Sequence, residues 1–227
     1  MAQYAVEPGI LAPYLPAGLE LDFYEGRCFV SLVGFLFDRV RLKGVAIPFH
    51  TRFEEVNLRF YVRRRDGDGT SRRGVVFVRE FVPRAAISIV ANRFYEEPYA
   101  TVAMRHEIVQ SVDSLSVAYK WKHRGTWHSM AVEAAAEPVA IVEGSVEEFI
   151  TEHYWGFTKR SDGGTSQYEV KHPHWEVYTV RKFGIEADFG VLYGERFAGL
   201  NGVEPESVLL AEGSAVSVDS GSRVLLG

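Results

Sequence analysis

The chain has 227 residues, of which 47% are hydrophobic and 24% are charged, and its net charge is −5. These proportions are typical of a folded globular protein and exclude a disordered chain. The acidic balance argues against a nucleic-acid partner, the apolar runs are too short for a membrane span, and the single cysteine, Cys28, excludes a disulfide framework.

In chain order, residues 1–4 lack the basic and apolar segments of a signal peptide, so we expect a cytoplasmic protein. Further on, β-branched and aromatic runs alternate with turn signals such as Asp66-Gly67 and Asn201-Gly202, a pattern typical of antiparallel hairpins. The predicted strands cover residues 19–24, 28–41, 53–65, 74–82, 100–110, 115–123, 127–137, 166–171, 175–187 and 207–218. They predict one domain over residues 1–227, mainly β (α+β), in which a large antiparallel sheet curls or closes into a barrel.

Four helical segments are predicted between the strands. One begins with a capping box, in which Glu148 follows Ser145 by three residues. The helical spacing of apolar residues predicts another over residues 83–94, and two shorter ones over residues 7–13 and 192–200. We expect these helices to pack on or across the sheet.

Polar and apolar residues alternate between Glu55 and Arg63, which predicts a strand with two different faces. One face carries Val56, Leu58, Phe60 and Val62, and the other carries Glu55, Asn57, Arg59 and Tyr61. If the polar face meets solvent, its residues are ordinary surface groups with cross-strand partners. If the sheet closes, the same face lines a polar pocket that can orient a small ligand. The alternation alone leaves both interpretations open.

Glu80 is predicted to share a strand face with Val76, Val78 and Val82. A carboxylate in an apolar row must be paired or protonated, because removing the ion from water is costly. We favour an ion pair that ties the strand to a helix over a catalytic acid.

Metal and cofactor signals are sparse in the sequence. His172 and His174 are two residues apart and could bind one ion from the same side of a strand, but no spacing supplies a third ligand. Nucleophile elbows, phosphate-binding loops and dinucleotide motifs are absent from the sequence. We therefore predict no metal site and no cofactor.

Several phrases together resemble the YqjF-like family of uncharacterised bacterial proteins (DUF2071), over nearly the whole chain. They include Leu15-Pro16-Ala17-Gly18-Leu19-Glu20-Leu21-Asp22, Glu55-Val56-Asn57-Leu58-Arg59, Glu152-His153-Tyr154-Trp155-Gly156 and His172-Pro173-x-Trp175. That family has no established activity. The resemblance implies a distant kinship with acetoacetate decarboxylase, and hence a closed, cone-like β-barrel with an interior ligand cavity and a homo-oligomeric assembly.

The resemblance departs from the decarboxylases at one point. Their Pro-Lys-Lys phrase carries the lysine that forms a Schiff base, and here Pro98-Tyr99-Ala100 stands in its place. Glu55 matches their strand carboxylate and Arg93 matches a helix arginine. Without the amine no imine forms with a β-keto acid, so the resemblance does not extend to Schiff-base decarboxylation. Tyr99 would instead serve as a hydrogen-bond donor or weak acid.

The leading hypothesis is a site inside the barrel for a small carboxylate or keto compound. Its candidate catalytic residues are Glu55, Glu97 and Tyr99, and its candidate ligand-binding residues are Asn57, Arg59, Tyr61, Arg93 and Glu80. Arginine would hold a carboxylate and a glutamate would move protons. Two alternatives stay open: a non-catalytic ligand-binding or sensory domain, and a structural interaction module without a ligand. The sequence does not decide whether the chain is an enzyme.

Overall fold

The computed structural model describes residues 1–42, 45–46, 52–67, 69–84, 98–219 and 221–224, with residues 41, 42, 45 and 46 described by backbone alone. Strands predominate in an eleven-stranded sheet, a five-stranded sheet and a small hairpin, while the helices are few and short. The prediction of a mainly β chain with few helices is confirmed. None of the helices in the described part of the chain is long and apolar enough to cross a bilayer.

The larger sheet contains eleven strands. They are β1 (Ala2–Val6), β2 (Glu20–Leu21), β3 (Cys28–Phe37), β6 (Phe53–Arg65), β7 (Ser71–Val82), β8 (Tyr99–Thr101), β12 (Trp155–Lys159), β13 (Thr165–Lys171), β15 (Ser207–Val208), β17 (Ser217–Val218) and β18 (Ser222–Arg223). Its pairings are antiparallel except that β7 pairs in parallel with β8 and β12. The sheet is therefore mixed, where an antiparallel one was predicted.

The remaining strands form the smaller sheet and the hairpin. The five-stranded sheet contains β9 (Ala103–Gln110), β10 (Ser114–His123), β11 (Thr126–Ala140), β14 (Glu176–Glu186) and β16 (Leu210–Ala211), and the hairpin contains β4 (Arg41–Leu42) and β5 (Val45–Ala46).

The prediction of a closed barrel is wrong. The large sheet follows the path β15-β1-β3-β6-β7-β12-β13-β17 and the smaller one the path β16-β14-β11-β10-β9, and within the described residues both paths are open at their ends. The chain changes sheets at Val102, between β8 and β9, and at Leu209, between β15 and β16. Where a strand bends into a second sheet, its backbone N–H and C=O groups leave the hydrogen-bond ladder of the first sheet. The two sheets are therefore joined by the chain itself and not by a continuous ladder of hydrogen bonds.

The main core draws on both sheets. The predicted apolar face of β6 is fully buried in it, together with Tyr119 and Trp121 of β10. Burying side chains of this size stabilises the fold by roughly 1.5–3 kcal/mol each. On the other face of β6, Tyr61 packs with Phe29 and Phe149 in a second, smaller core. The two faces predicted from alternation are therefore both real, and both are largely buried.

In the described part of the chain, four short helical segments accompany the sheets, namely α1 (Pro8–Leu11), α2 (Val146–Thr151), α3 (Phe189–Tyr193) and a 3₁₀ helix (Glu195–Leu200). The predicted cap begins α2: Ser145 Oγ accepts a hydrogen bond from Glu148 N at 3.2 Å. The return bond differs from the predicted box, because Glu148 Oε2 accepts from Gly144 N, one residue before the cap, at 2.7 Å. The helix predicted over residues 83–94 lies mostly outside the described residues.

A β-bulge in β7 decides where Glu80 points. Arg59 pairs with Phe77 but Leu58 pairs with Arg79, so Val78 is an extra residue in β7. An extra residue shifts the alternation by one position, and Glu80 therefore lies opposite Asn57 on the polar face. The prediction that Glu80 shares the face of Val76 and Val78 is wrong for this reason.

Candidate functional site

Four polar side chains meet on the polar face of the large sheet, and we call them the Glu55 cluster: Glu55 and Asn57 of β6, Glu80 of β7 and Tyr99 of β8. Cross-strand register brings Asn57, Glu80 and Tyr99 side by side. Asn57 Nδ2 donates to Glu55 Oε1 at 2.9 Å, and Tyr99 OH donates to Glu55 Oε2 at 3.2 Å. Glu55, Asn57 and Glu80 are only 2%, 1% and 1% exposed, so two carboxyl groups share a site with almost no water.

Burial raises the pKa of Glu55, and hydrogen bonds with Glu80, Asn57 and Tyr99 and the charge of Arg59 oppose this rise only in part. Two neighbouring carboxyl groups can hydrogen-bond to each other only if one of them carries a proton. The pair therefore retains a proton at pH values where an exposed carboxyl has lost it. Such a pair can both donate a proton and accept one.

A row of three polar residues lies beside the Glu55 cluster on the same face. Gln3 of β1 is directly opposite Ser31 of β3, which is directly opposite Arg59 of β6. Gln3 Oε1 accepts from Ser207 Oγ at 2.8 Å, and Arg59 Nη2 donates to the carbonyl oxygen of Ile150 at 3.4 Å. The row thus continues the polar face from the Glu55 cluster toward β1.

Several buried polar atoms of this face have no protein partner among the described residues. They are Gln3 Nε2 and Arg59 Nε, which are donors, and Asn57 Oδ1, which is an acceptor. An unsatisfied buried polar group costs about 1–3 kcal/mol, so native proteins rarely leave several together. A bound polar ligand or ordered water would satisfy all three.

A second buried carboxylate lies farther along the same face, in what we call the Asp22 cluster of Asp22, Arg73 and His153. Arg73 Nε donates to Asp22 Oδ2 at 2.7 Å, and His153 Nε2 lies 3.2 Å from the same oxygen. Burial alone would raise the pKa of Asp22, but the hydrogen bonds and charges of His153 and Arg73 lower it to about 2. Burial lowers the pKa of His153 to about 4, so His153 is neutral at pH 7 and donates from Nε2 to the Asp22 carboxylate.

A cavity of about 300 Å³ lies elsewhere in the fold. Its walls are mainly apolar and include Val117, Val132 and Phe183 of the five-stranded sheet. Among the described residues that line it, Glu212 is the single charged one. None of the predicted site residues that the structure describes lines this cavity. The predicted polar pocket and this cavity are therefore separate features.

The predicted site residues come together only in part. Glu55, Asn57, Glu80 and Tyr99 form the cluster described above, and Arg59 occupies the adjoining row. Tyr61 lies between the two clusters: its OH is 2.6 Å from Ser31 Oγ and its ring packs on His153 at 4.7 Å between centroids. Arg93 and Glu97 lie outside the described residues.

Sequence reasoning missed Gln3, Ser31 and the Asp22 cluster. Gln3 stands on a five-residue strand, which is too short for alternation to reveal. The sequence signal for Asp22 and His153 was their presence in two of the family's phrases, but nothing local pairs residues that are 131 positions apart.

The suggested histidine metal site does not form in the described structure. The His172 ring stacks on Trp175 at 4.2 Å between centroids, and His174 Nδ1 lies 3.1 Å from Glu152 Oε2. Within the described ranges, no three His, Cys, Asp or Glu side chains are grouped as metal ligands would be.

Comparison with known families settles the kinship of the chain. The sequence profile of DUF2071, described as an uncharacterized conserved protein, matches residues 1–215. The chain belongs to this family. It is 26% identical to the uncharacterized protein YqjF of Bacillus subtilis (strain 168) over 176 residues, which are 76% of this chain and 69% of that protein.

Solved structures show the same fold at low sequence identity. An acetoacetate decarboxylase-like enzyme from Sphingomonas wittichii RW1 superposes with a TM-score of 0.60 at 14% identity, covering 98% of this chain and 89% of that one. The enduracididine biosynthesis enzyme MppR complexed with pyruvate superposes with a TM-score of 0.55 at 13% identity, covering 82% and 74%. These likenesses show an acetoacetate decarboxylase-like fold.

Proposed function

We propose that the Glu55 cluster and the adjoining row bind a small keto acid and transfer a proton at the carbon next to its carbonyl group. The observation that carries this proposal is the set of buried atoms without a protein partner among the described residues, namely Gln3 Nε2, Arg59 Nε and Asn57 Oδ1, beside a protonated carboxyl pair. Such a site already contains the groups that recognise an acid and the groups that move a proton.

The donors in the row suit a carboxylate. Arg59 supplies a permanent positive charge and an unused N–H. Gln3 supplies a neutral N–H from two strands away, on the far side of Ser31. The ligand's carboxylate would accept from both. Successive residues on one strand face are about 7 Å apart, so Arg59 and Glu55, two such steps apart, lie about 14 Å from each other at their Cα atoms. The charge of Arg59 nevertheless acts on the Glu55 carboxyl, so a compact acid bound between the two side chains would contact both.

The carboxyl pair suits the carbonyl end of the ligand. The protonated carboxyl and Tyr99 OH would donate to the carbonyl oxygen, while the ionised carboxyl takes a proton from the adjacent carbon. The electrons of the broken C–H bond then form the C=C bond of an enol, and the carbonyl oxygen receives the proton of the protonated carboxyl. Return of a proton to carbon completes an exchange that needs no lysine and no cofactor.

The fold comparison supports the ligand class. MppR, which shares the fold, has been solved in complex with pyruvate, a keto acid. In this chain Tyr99 donates to Glu55 at the position where the resemblance places a lysine in the decarboxylases. Reduction with borohydride in the presence of pyruvate should therefore leave no covalent adduct on the protein.

Hydrogen exchange into pyruvate provides the test. The protein is incubated with pyruvate in D₂O, and loss of the methyl proton signal is followed by NMR. We expect exchange above the uncatalysed rate, and we expect Glu55→Gln to reduce it by about 100-fold or more, the usual contribution of a general base. The matched control is Glu54→Gln, which changes the neighbouring carboxylate that contacts His106 and should leave exchange nearly unchanged.

Binding is measured separately by calorimetry with pyruvate and with its neutral amide, pyruvamide. We expect Gln3→Leu to weaken pyruvate binding by about tenfold, because one hydrogen bond to a charged group is lost, and pyruvamide to bind weakly in every variant. Binding of pyruvate without exchange would support the non-catalytic ligand-binding alternative. Equal affinity for pyruvate and pyruvamide would contradict a carboxylate subsite.

A further inference from the structure

β9 is an edge strand whose apolar side chains are unusually exposed to solvent. It is the last strand of the five-stranded sheet, and within the described residues it pairs only with β10. Ile108 and Val109 are 46% and 52% exposed, and Val112 in the following turn is 92% exposed. A long apolar edge of this kind is a template for another strand, and proteins that stay monomeric usually block it.

The charges on β9 favour pairing rather than block it. Arg105 and Glu107 are both exposed and share the outer face of the strand. Arg105 lies directly opposite Lys120 of β10, a like charge, and Glu107 lies opposite Ala118. Within the described ranges no ion pair satisfies either residue, although the Arg105 guanidinium lies 5.1 Å from the centroid of the Trp127 ring. Like charges opposite each other are unfavourable in a sheet, so a carboxylate on the free side of Arg105 would be stabilising.

We propose that two copies of this chain associate through antiparallel pairing of their β9 strands, with the two-fold axis at His106. In this register Arg105 of each copy faces Glu107 of the other, which forms two opposite-charge pairs at once. On the inner face, Met104 of each copy faces Ile108 of the other and covers its exposed side chain. The interface is self-complementary, as a two-fold axis requires.

Neighbouring registers are less favourable by the same reasoning. An axis at Arg105 or at Glu107 places two like charges directly opposite each other. An axis between His106 and Glu107 places Arg105 opposite Ile108, so the guanidinium remains unpaired. Only the axis at His106 matches charge with charge and apolar residue with apolar residue. The paired strands then join two five-stranded sheets into one ten-stranded sheet.

The charge pairs provide a complementation test on the full chain. Arg105→Glu places two carboxylates opposite each other at both ends of the interface, and Glu107→Arg does the same with two guanidinium groups. We expect the wild-type chain to sediment as a dimer in analytical ultracentrifugation, and each single variant to associate at least about tenfold more weakly. An equimolar mixture of the two variants should recover the dimer, because both facing pairs of the mixed dimer then join a glutamate of one copy to an arginine of the other.

The mixture separates this proposal from any other interface. Circular dichroism and thermal melting first establish that each variant is folded, and the double variant carrying both exchanges should dimerise like the wild type. A wild-type chain that is monomeric up to millimolar concentration would overturn the proposal. The proposal would also be overturned if both single variants still dimerised like the wild type, or if the two weakened variants failed to form a dimer when mixed. Glu55→Gln should not change the association, so failure here is distinguishable from failure of the proposed function.

Discussion

The Glu55 cluster and the Asp22 cluster occupy the same face of the same sheet, yet their buried carboxyl groups behave in opposite ways. Burial raises the pKa of Glu55, whereas partners lower the pKa of Asp22 to about 2 against the same tendency. Asp22 receives a charge-assisted hydrogen bond from Arg73 at 2.7 Å. Glu55 receives neutral donors, Asn57 and Tyr99, and has a second carboxyl as its neighbour.

The difference shows what separates a buried carboxyl group that is held ionised from one that keeps its proton. A cation in direct contact offsets the cost of desolvation and fixes the ionised form. Neutral donors offset only part of that cost, so the proton stays available. The Asp22 cluster therefore stabilises the packing of α2 against β7, and the Glu55 cluster retains a proton above the usual pH range at some cost in stability.

The largest expected effect is the loss of the Asp22 carboxylate. Asp22→Ala leaves Arg73 without its partner and His153 without an acceptor, and we expect the free energy of unfolding to fall by about 3 kcal/mol. The control is Glu20→Ala, which removes an exposed carboxylate 3.3 Å from Arg63 and Arg65 and should cost less than about 1 kcal/mol. Urea denaturation measures both, and equal losses would contradict the assignment of Asp22 as a buried structural partner.

Acid should weaken the Asp22 cluster in two steps. The pKa of His153 is about 4 in the folded chain and ordinarily 6.5, so the unfolded chain binds the proton first. Stability therefore decreases as the pH falls from about 6.5 to about 4, by an amount on the order of 3 kcal/mol. The lowered pKa of Asp22 adds a further loss between its ordinary value of 3.8 and about 2. In His153→Phe the upper step should disappear from the pH dependence of urea unfolding.

The stability contributed by Glu55 should change with pH in the direction opposite to that of the Asp22 cluster. Because the folded chain holds the proton of Glu55 more tightly than the unfolded chain does, stability contributed by this group decreases as the pH rises above 4.5, with a slope of at most about 1.4 kcal/mol per pH unit. Glu55→Gln cannot ionise, so we expect its stability relative to the wild type to increase between pH 5 and pH 8. A variant that becomes relatively less stable over this range would show that Glu55 is a paired carboxylate like Asp22.

The smallest effect is expected at Tyr61, which lies between the two clusters. Tyr61→Phe removes the hydrogen bond of 2.6 Å to Ser31 but keeps the ring contacts with His153 and Phe149. We expect a loss of about 1 kcal/mol in thermal unfolding and no change in pyruvate exchange. A clear fall in the exchange rate would instead place Tyr61 in the ligand site, as the sequence predicted.

The sequence by itself determined the features that follow from local geometry. Side chains on a strand alternate between two faces, so β6 could be divided correctly into an apolar and a polar face. A capping box acts within four residues, so the start of α2 was predicted at Ser145. The comparison with the decarboxylases also put Tyr99 and Glu55 in one predicted site, and the structure places these two side chains in contact.

Only the tertiary structure decided which distant residues share a site. One extra residue in β7 moved Glu80 to the face of Asn57, because a register shift of one position exchanges the two faces of a strand. Strand order places Gln3 beside Ser31, and helix packing places His153 beside Asp22. No local sequence pattern contains either arrangement. The sequence also did not show that the chain passes between two open sheets at Val102 and Leu209, since pairing between distant strands depends on packing and not on periodicity.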